Sequence, residues 1–212
     1  AGAEQSFIDE VAEIAKKDPI DFRLELFKKA INNPVGKEYD YDARRYAGVL
    51  RLVKEKSNWG IGDQSSNKGV AAYFCHNSYV AVVMEVALKG KQPKVKKVWC
   101  AADCGIVINK EGAVNMIEGR IIDGIGHAMY SELKFENGSP IHKNFDTYNF
   151  IRHDQSPSEI EVFFVENEIP PTGLGEPSLP PAVGALANAL YKATGTRLYY
   201  QPFAKQLQIS LS

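Results

Sequence analysis

Hydrophobic periodicity switches from helical to strand-like across the Gly-, Ser- and Asn-rich segment 60–69, and that change constrains the fold more than any other feature. Before it, apolar residues recur at helical spacing; directly after it, they form short blocks bounded by turn residues, with helical stretches returning further on. In Ser6 to Lys17 the residues Phe7, Ile8, Val11, Ile14 and Ala15 share one face, with Glu and Lys opposite. Asp18-Pro19 restarts a helix, because Asp caps and proline suits the first helical position. Phe22, Leu26, Phe27 and Ala30 continue that stripe as far as Asn32-Asn33-Pro34, and a third helix is predicted from Asp42 to Lys56, carrying Tyr46, Val49, Leu50 and Val53. Residues 1–60 are therefore expected to form a helical lead-in, and residues 61–212 the body of the fold.

In that body, Val70 to Cys75 and Tyr79 to Leu88 read as strands joined by the hairpin spacer His76-Asn77-Ser78. Gly90 to Lys94 reads as a turn before a strand from Val95 to Ala102. A long helix is predicted from Glu111 to Glu132, although Gly119, Gly124 and Gly126 each cost it roughly 1 kcal/mol relative to alanine. So many glycines imply close packing against another backbone or a ligand. Asn137-Gly138 marks a hairpin between Leu133–Glu136 and Pro140–Lys143. Glu159 to Val165 alternates as a strand, Pro180-Pro181 opens a helix closed at Thr194-Gly195, and Arg197 to Phe203 is expected as a last strand. The class is α+β, a mixed sheet packed with helices.

Composition narrows the partners. With 44% apolar residues and a net charge of −1, nothing favours nucleic acid or an anionic membrane surface. No apolar run approaches the roughly 18 residues of a membrane span, and no signal peptide is visible. The chain opens at Ala1 without a methionine, so the true N-terminus is expected elsewhere and the compartment, cytoplasm or periplasm, is not read from it. Cys75, Cys100 and Cys104 contain no C-x-x-C pair and read as buried free thiols. The four histidines are scattered, so no metal is expected to be held directly by the polypeptide.

Chemistry concentrates in Gly-Leu-Gly-Glu-Pro-Ser-Leu-Pro-Pro, residues 173–181. Two glycines and a proline bracket Glu176, and Pro177 restricts it to extended geometry. Taken alone, the segment reads first as a helix-entry loop with a solvated acid. Other segments accompany it in order: Glu-Gln-Ser-Phe-Ile-Asp-Glu (4–10), Asp-Pro-Ile-Asp-Phe-Arg (18–23), Lys-Ser-Asn-Trp-Gly (56–60), Ser-Tyr-Val-Ala (78–81), Cys-Ala-Ala-Asp-Cys-Gly (100–105), Ile-Glu-Gly (117–119), Asn-Phe-Asp-Thr-Tyr (144–148), Pro-Pro-Ala (180–182) and Ala-Thr-Gly (193–195). Together they resemble the molybdopterin-binding large subunit of the xanthine dehydrogenase/aldehyde oxidase family, most of all the isoquinoline 1-oxidoreductase beta-subunit type.

The resemblance implies hydroxylation of an N-heterocycle carbon, or an aldehyde carbon, with oxygen drawn from water. It implies a molybdenum–molybdopterin cofactor, in the cytosine dinucleotide form of that subfamily, and an iron–sulfur small subunit (2Fe-2S) as electron acceptor. Glu176 corresponds to the general base of the Gly-x-Gly-Glu-Pro turn. A free Glu titrates near ~4.3, low for a base at neutral pH, so the role asks for desolvation and neighbouring negative charge. Backbone N–H groups of Gly173, Leu174 and Gly175, with the helix start after Pro180, are expected near the cofactor.

Two positions depart from the family pattern. Relatives usually carry a pterin-contacting glutamine where this chain has Met116, and a proline where it has Lys110. The family's large subunits run to several hundred residues, and the resemblance covers only their C-terminal portion. The N-terminal remainder is thus an expected partner, and the isolated chain is expected to be catalytically silent and without molybdenum. The alternative is a non-catalytic binding or assembly domain that keeps the fold without the cofactor, which Met116 favours and Glu176 opposes. A stand-alone hydrolase stands behind both, because no second carboxylate or nucleophile is paired with Glu176.

Overall fold

The computed structural model describes residues 1–34, 36–37, 41–61, 67–90 and 92–209. Helices α1 (Gly2–Ile14), α2 (Pro19–Asn32) and α3 (Ala43–Lys56) come first. Asp18 caps α2, its Oδ1 accepting from the Ile20 and Asp21 amides at 2.9 and 3.0 Å, while its Oδ2 accepts from Trp59 Nε1 at 2.7 Å. Asp42 caps α3 through the Arg44 amide at 2.7 Å. The loop expected over Gly60–Gly69 falls partly on residues 62–66, outside the described residues, and strand geometry has begun by Asn67.

Strands β1 (Asn67–Cys75), β2 (Ser78–Lys89) and β3 (Gln92–Asp103) form an antiparallel meander. Helix α4 (Lys110–Met129) then crosses over, and after the two-residue strands β4 (Phe135–Glu136) and β5 (Ser139–Pro140), β6 (Glu159–Phe164) pairs parallel to β3. The sheet order β1-β2-β3-β6 is therefore mixed. Helices α5 (Leu179–Thr194) and α6 (Phe203–Gln206) complete the chain. The pairing of β2 with β3 jumps between Glu85 and Val86, leaving Lys96 as the extra residue of a bulge.

Strand residues alternate between two cores. Val80, Val82, Met84 and Val86 of β2 join Val98, Cys100 and Ala102 of β3 under α4 and α5. Tyr79, Ala81 and Val83 join Trp99 and Ala101 under Ile20 of α2 and Val49, Leu50 and Val53 of α3. Covered on both faces, β2 reads as an almost unbroken apolar run rather than an alternating one. The helices before residue 60 and the sheet after it thus share a core.

Helix α5 lies directly on β1 because Gly69 has no side chain. A Cβ there would sit 2.1 Å from the Ala189 nitrogen and 2.4 Å from the Ala185 oxygen. The α4 glycines divide: a Cβ at Gly124 would meet Leu179 O at 2.9 Å and one at Gly126 would meet Ile151 at 2.8 Å, whereas Gly119 faces open space. The outward edge of β1 is sealed by side chains. Gln5 Oε1 accepts the Ala72 N–H at 3.1 Å, Tyr46 OH donates to Ala72 O at 2.8 Å, and Asn188 Nδ2 donates to Val70 O at 2.9 Å. Arg23, buried by α2, holds the same cluster through Gln5 O at 2.9 Å and Pro19 O at 2.9 Å.

The strand expected over Arg197 to Phe203 is not formed; the segment is irregular and ends in α6. Its β-prone Leu-Tyr-Tyr sequence loses to one side chain. Gln206 Oε1 accepts the Tyr199 and Tyr200 amides at 3.0 and 3.4 Å, and its Nε2 donates to Arg197 O at 2.7 Å. The backbone groups that a ladder would use are satisfied locally. The Asn137-Gly138 hairpin is present, with φ of 51° and 79°, but joins only two-residue strands.

Candidate functional site

Strands β1 and β2 are joined by the two-residue turn His76-Asn77, both residues left-handed at φ 51° and 59°, with Cys75 paired to Ser78. This turn docks on the Glu176 loop. The Gly173 amide donates to His76 O at 3.1 Å, Ser78 Oγ lies 2.6 Å from Thr172 Oγ1, and Ser78 Oγ also donates to Gly173 O. A Cβ on Gly173 would lie 2.5 Å from His76 Cβ, so only glycine permits this approach. The loop is also tied to α5, the Leu179 amide bonding Glu176 O at 3.0 Å.

Glu176 projects from this clamp with its side chain 70% exposed. Its Oε2 lies 3.1 Å from His76 Nε2, and its Oε1 has no hydrogen bond among the described residues. Burial pushes the Cys75 thiol up, and the nearby Glu176 carboxylate acts in the same direction. The desolvation expected around a base is not supplied by the described residues.

Helix α4 forms the other wall. Asn109 caps it, Oδ1 accepting the Gly112 amide at 2.9 Å. Met116, 44% exposed, reaches the turn, its Cε 3.3 Å from where a Gly175 Cβ would be. One helical turn on, Arg120 Nε donates to Gly175 O at 3.1 Å while Nη1 bonds Asp123 at 2.8 Å. Beside the turn lies a cleft of about 310 Å³, walled mainly by Cys104, Ile106, Val107, Met116 and Leu174. Burial pushes the Cys104 thiol up, with Asp103 adding to the effect, so it lines the cleft as an apolar group. Among the described residues no three His, Cys, Asp or Glu side chains converge as for a metal.

The structure therefore brings Gly173, Leu174, Gly175, Glu176 and Met116 together. The three loop amides differ, however. Gly173 N–H is committed to His76, whereas the amides of Leu174 and Gly175 have no partner among the described residues. Pro180 and Pro181 remove two donors from the start of α5. Asp103, inside the Cys-Ala-Ala-Asp-Cys-Gly motif, is scaffold, as is Asn188, which bonds Val70 O. Asp103, 2% exposed, receives Arg45 through two bonds of 3.0 and 2.7 Å and Asn167 Nδ2 at 2.9 Å. That pairing holds the Arg45 guanidinium charged, its ordinary value raised further. Motif reasoning does not single out His76 or Arg120 as site residues. Arg120 stands four residues after Met116 and is open to a helical-face argument; His76 sits in a turn whose docking no local pattern reveals.

The mixed sheet between helices has known counterparts. The molybdopterin cofactor-binding domain family matches residues 5–157, and the chain belongs to that family. It is 30% identical over 207 residues to the membrane-bound aldehyde dehydrogenase [pyrroloquinoline-quinone] of Gluconacetobacter polyoxogenes, covering 93% of this chain and 27% of that protein. It is 30% identical over 211 residues to isoquinoline 1-oxidoreductase subunit beta of Brevundimonas diminuta, covering 97% and 25%. Among solved structures, the aldehyde oxidoreductase of Desulfovibrio gigas superposes with a TM-score of 0.52 at 26% identity, over 62% of this chain and 16% of that one. The chain thus spans about a quarter of the length of these two curated relatives.

Proposed function

We propose that this chain is the C-terminal portion of a molybdenum hydroxylase large subunit, with Glu176 as general base in oxidation of an N-heterocycle or aldehyde carbon. The observation that carries this reading is the clamped turn, which presents one carboxylate with an oxygen free among the described residues, two positions after Leu174 in the wall of an apolar cleft. The residues fit one wall of a cofactor site: Leu174 and Gly175 offer amides without a partner among the described residues, and Met116 packs on Gly175 and lines the cleft with Leu174. They would hold a molybdopterin by backbone donation and apolar contact, the remaining walls coming from the rest of a longer subunit.

When bound, the cofactor supplies the two-electron oxidation in which a carbon–hydrogen bond is replaced by a carbon–oxygen bond from water. Two protons and two electrons are released per turnover, the electrons to an iron–sulfur partner subunit. Glu176 receives one proton on its free Oε1. The clamp from His76 and Ser78 fixes where that oxygen stands, and docking of the missing walls removes the water that surrounds it in this chain.

The test is Glu176→Gln in the full-length subunit. Turnover should fall by several orders of magnitude while molybdenum content stays near that of the wild type. Retention of most of the rate overturns the base assignment. Absence of molybdenum from the wild-type subunit, expressed in a cofactor-competent host, would instead favour a non-catalytic assembly domain.

A further inference from the structure

We propose that His76 is the positioning residue for Glu176: its imidazole Nε2–H holds one carboxylate oxygen and leaves the other directed outward to accept a proton. This rests on the reading of Glu176 as the base. Three observations carry it. The two side chains meet at 3.1 Å through Nε2 and Oε2 only. The backbones beneath them are locked by the Gly173–His76 and Ser78–Thr172 bonds, so the distance between the two residues' Cα atoms is set by the fold rather than by side-chain chance. His76 is held at φ 51°, a conformation that aims its side chain at the loop across a gap only a glycine leaves open.

The arrangement divides the labour of the carboxylate. A Glu side chain on an exposed turn samples several rotamers, and a base must keep its accepting oxygen in one place. An imidazole donating from Nε2 fixes Oε2 and adds no donor to Oε1, which keeps its lone pairs. The other groups close to the pair are Cys75, at the end of β1, and Arg120, whose guanidinium is engaged by Gly175 O and Asp123 and makes no bond to the carboxylate.

Two substitutions separate the hydrogen bond from the turn. His76→Asn tolerates the left-handed backbone but is too short to reach Glu176; His76→Gln places an amide N–H near the position of Nε2. In the cofactor-loaded full-length subunit, kcat of His76→Asn should fall about tenfold with KM within about twofold, and His76→Gln should recover most of the loss. Crystal structures provide a readout independent of turnover: Glu176 should occupy one rotamer in the wild type and in His76→Gln, and more than one in His76→Asn. Equal rates in the two variants, whether both high or both low, overturn the proposal, as does an unmoved carboxylate in His76→Asn. If His76→Asn is fully active while Glu176→Gln is dead, the positioning role fails and the base stands. If Glu176→Gln is itself active, the base reading fails.

Discussion

At the scale of single residues, the acids of this chain divide by what surrounds them. Glu176 stands exposed on a clamped turn, whereas Asp103 is buried with its charge matched by Arg45 and Asn167. Both occur in short glycine-containing motifs, and sequence does not tell them apart. Burial does. Removing Arg45 leaves Asp103 without its counter-charge, so Arg45→Ala should cost about 3 kcal/mol, measured by urea denaturation, while Arg45→Lys should recover part of that loss. Glu176 stands out in the sequence only through the ordered motifs that accompany its glycine–proline bracket, since the bracket alone also describes a helix-entry loop. Its His76 partner is not legible there, since the contact spans 100 residues and depends on the docking of two turns.

At the scale of elements, caps and periodicity carry most of the information. Asp18, Asp42 and Asn109 each start a helix as their side-chain chemistry requires. The strands β2 and β3 are legible as apolar runs, and burial on both faces explains why they do not alternate cleanly. The segment after Arg197, strand-like in sequence and irregular in the fold, shows the limit: propensity names what a segment tolerates, and Gln206 decides what it becomes. Close approaches of backbone to backbone are equally hidden from periodicity. Gly69 sits under α5 with no room for a methyl group. Gly69→Ala should destabilise the chain by about 3 kcal/mol and weaken hydrogen-exchange protection of α5 and β1 before that of β3.

At the scale of the whole molecule, the ends of the chain are tied together. Arg197 lies over the Tyr191 ring and pairs with Asp9 at 3.1 Å and Glu13 at 2.6 Å, joining α1 to the segment after α5. The Tyr191 hydroxyl and then Arg197 hold the Glu13 carboxyl below its ordinary value of 4.5. Folded Glu13 therefore ionises more readily than unfolded Glu13. Its contribution is complete above pH 4.5 and is lost as pH falls through the lower folded value. Glu13→Gln should be less stable than wild type at pH 7, and the gap between their urea midpoints should close towards pH 3. A gap that persists at low pH would show that the glutamate acts through packing rather than charge.

The sealed edge of β1 also governs where another strand could join this sheet. A strand arriving there finds Val70 and Ala72 already bonded to Asn188, Gln5 and Tyr46, and must displace groups from three helices to join the ladder. Among the described residues, the opposite border, β6, pairs with β3 alone. Any added strand would therefore find its easier place beside β6, because α1, α3 and α5 act as a stop at the other side.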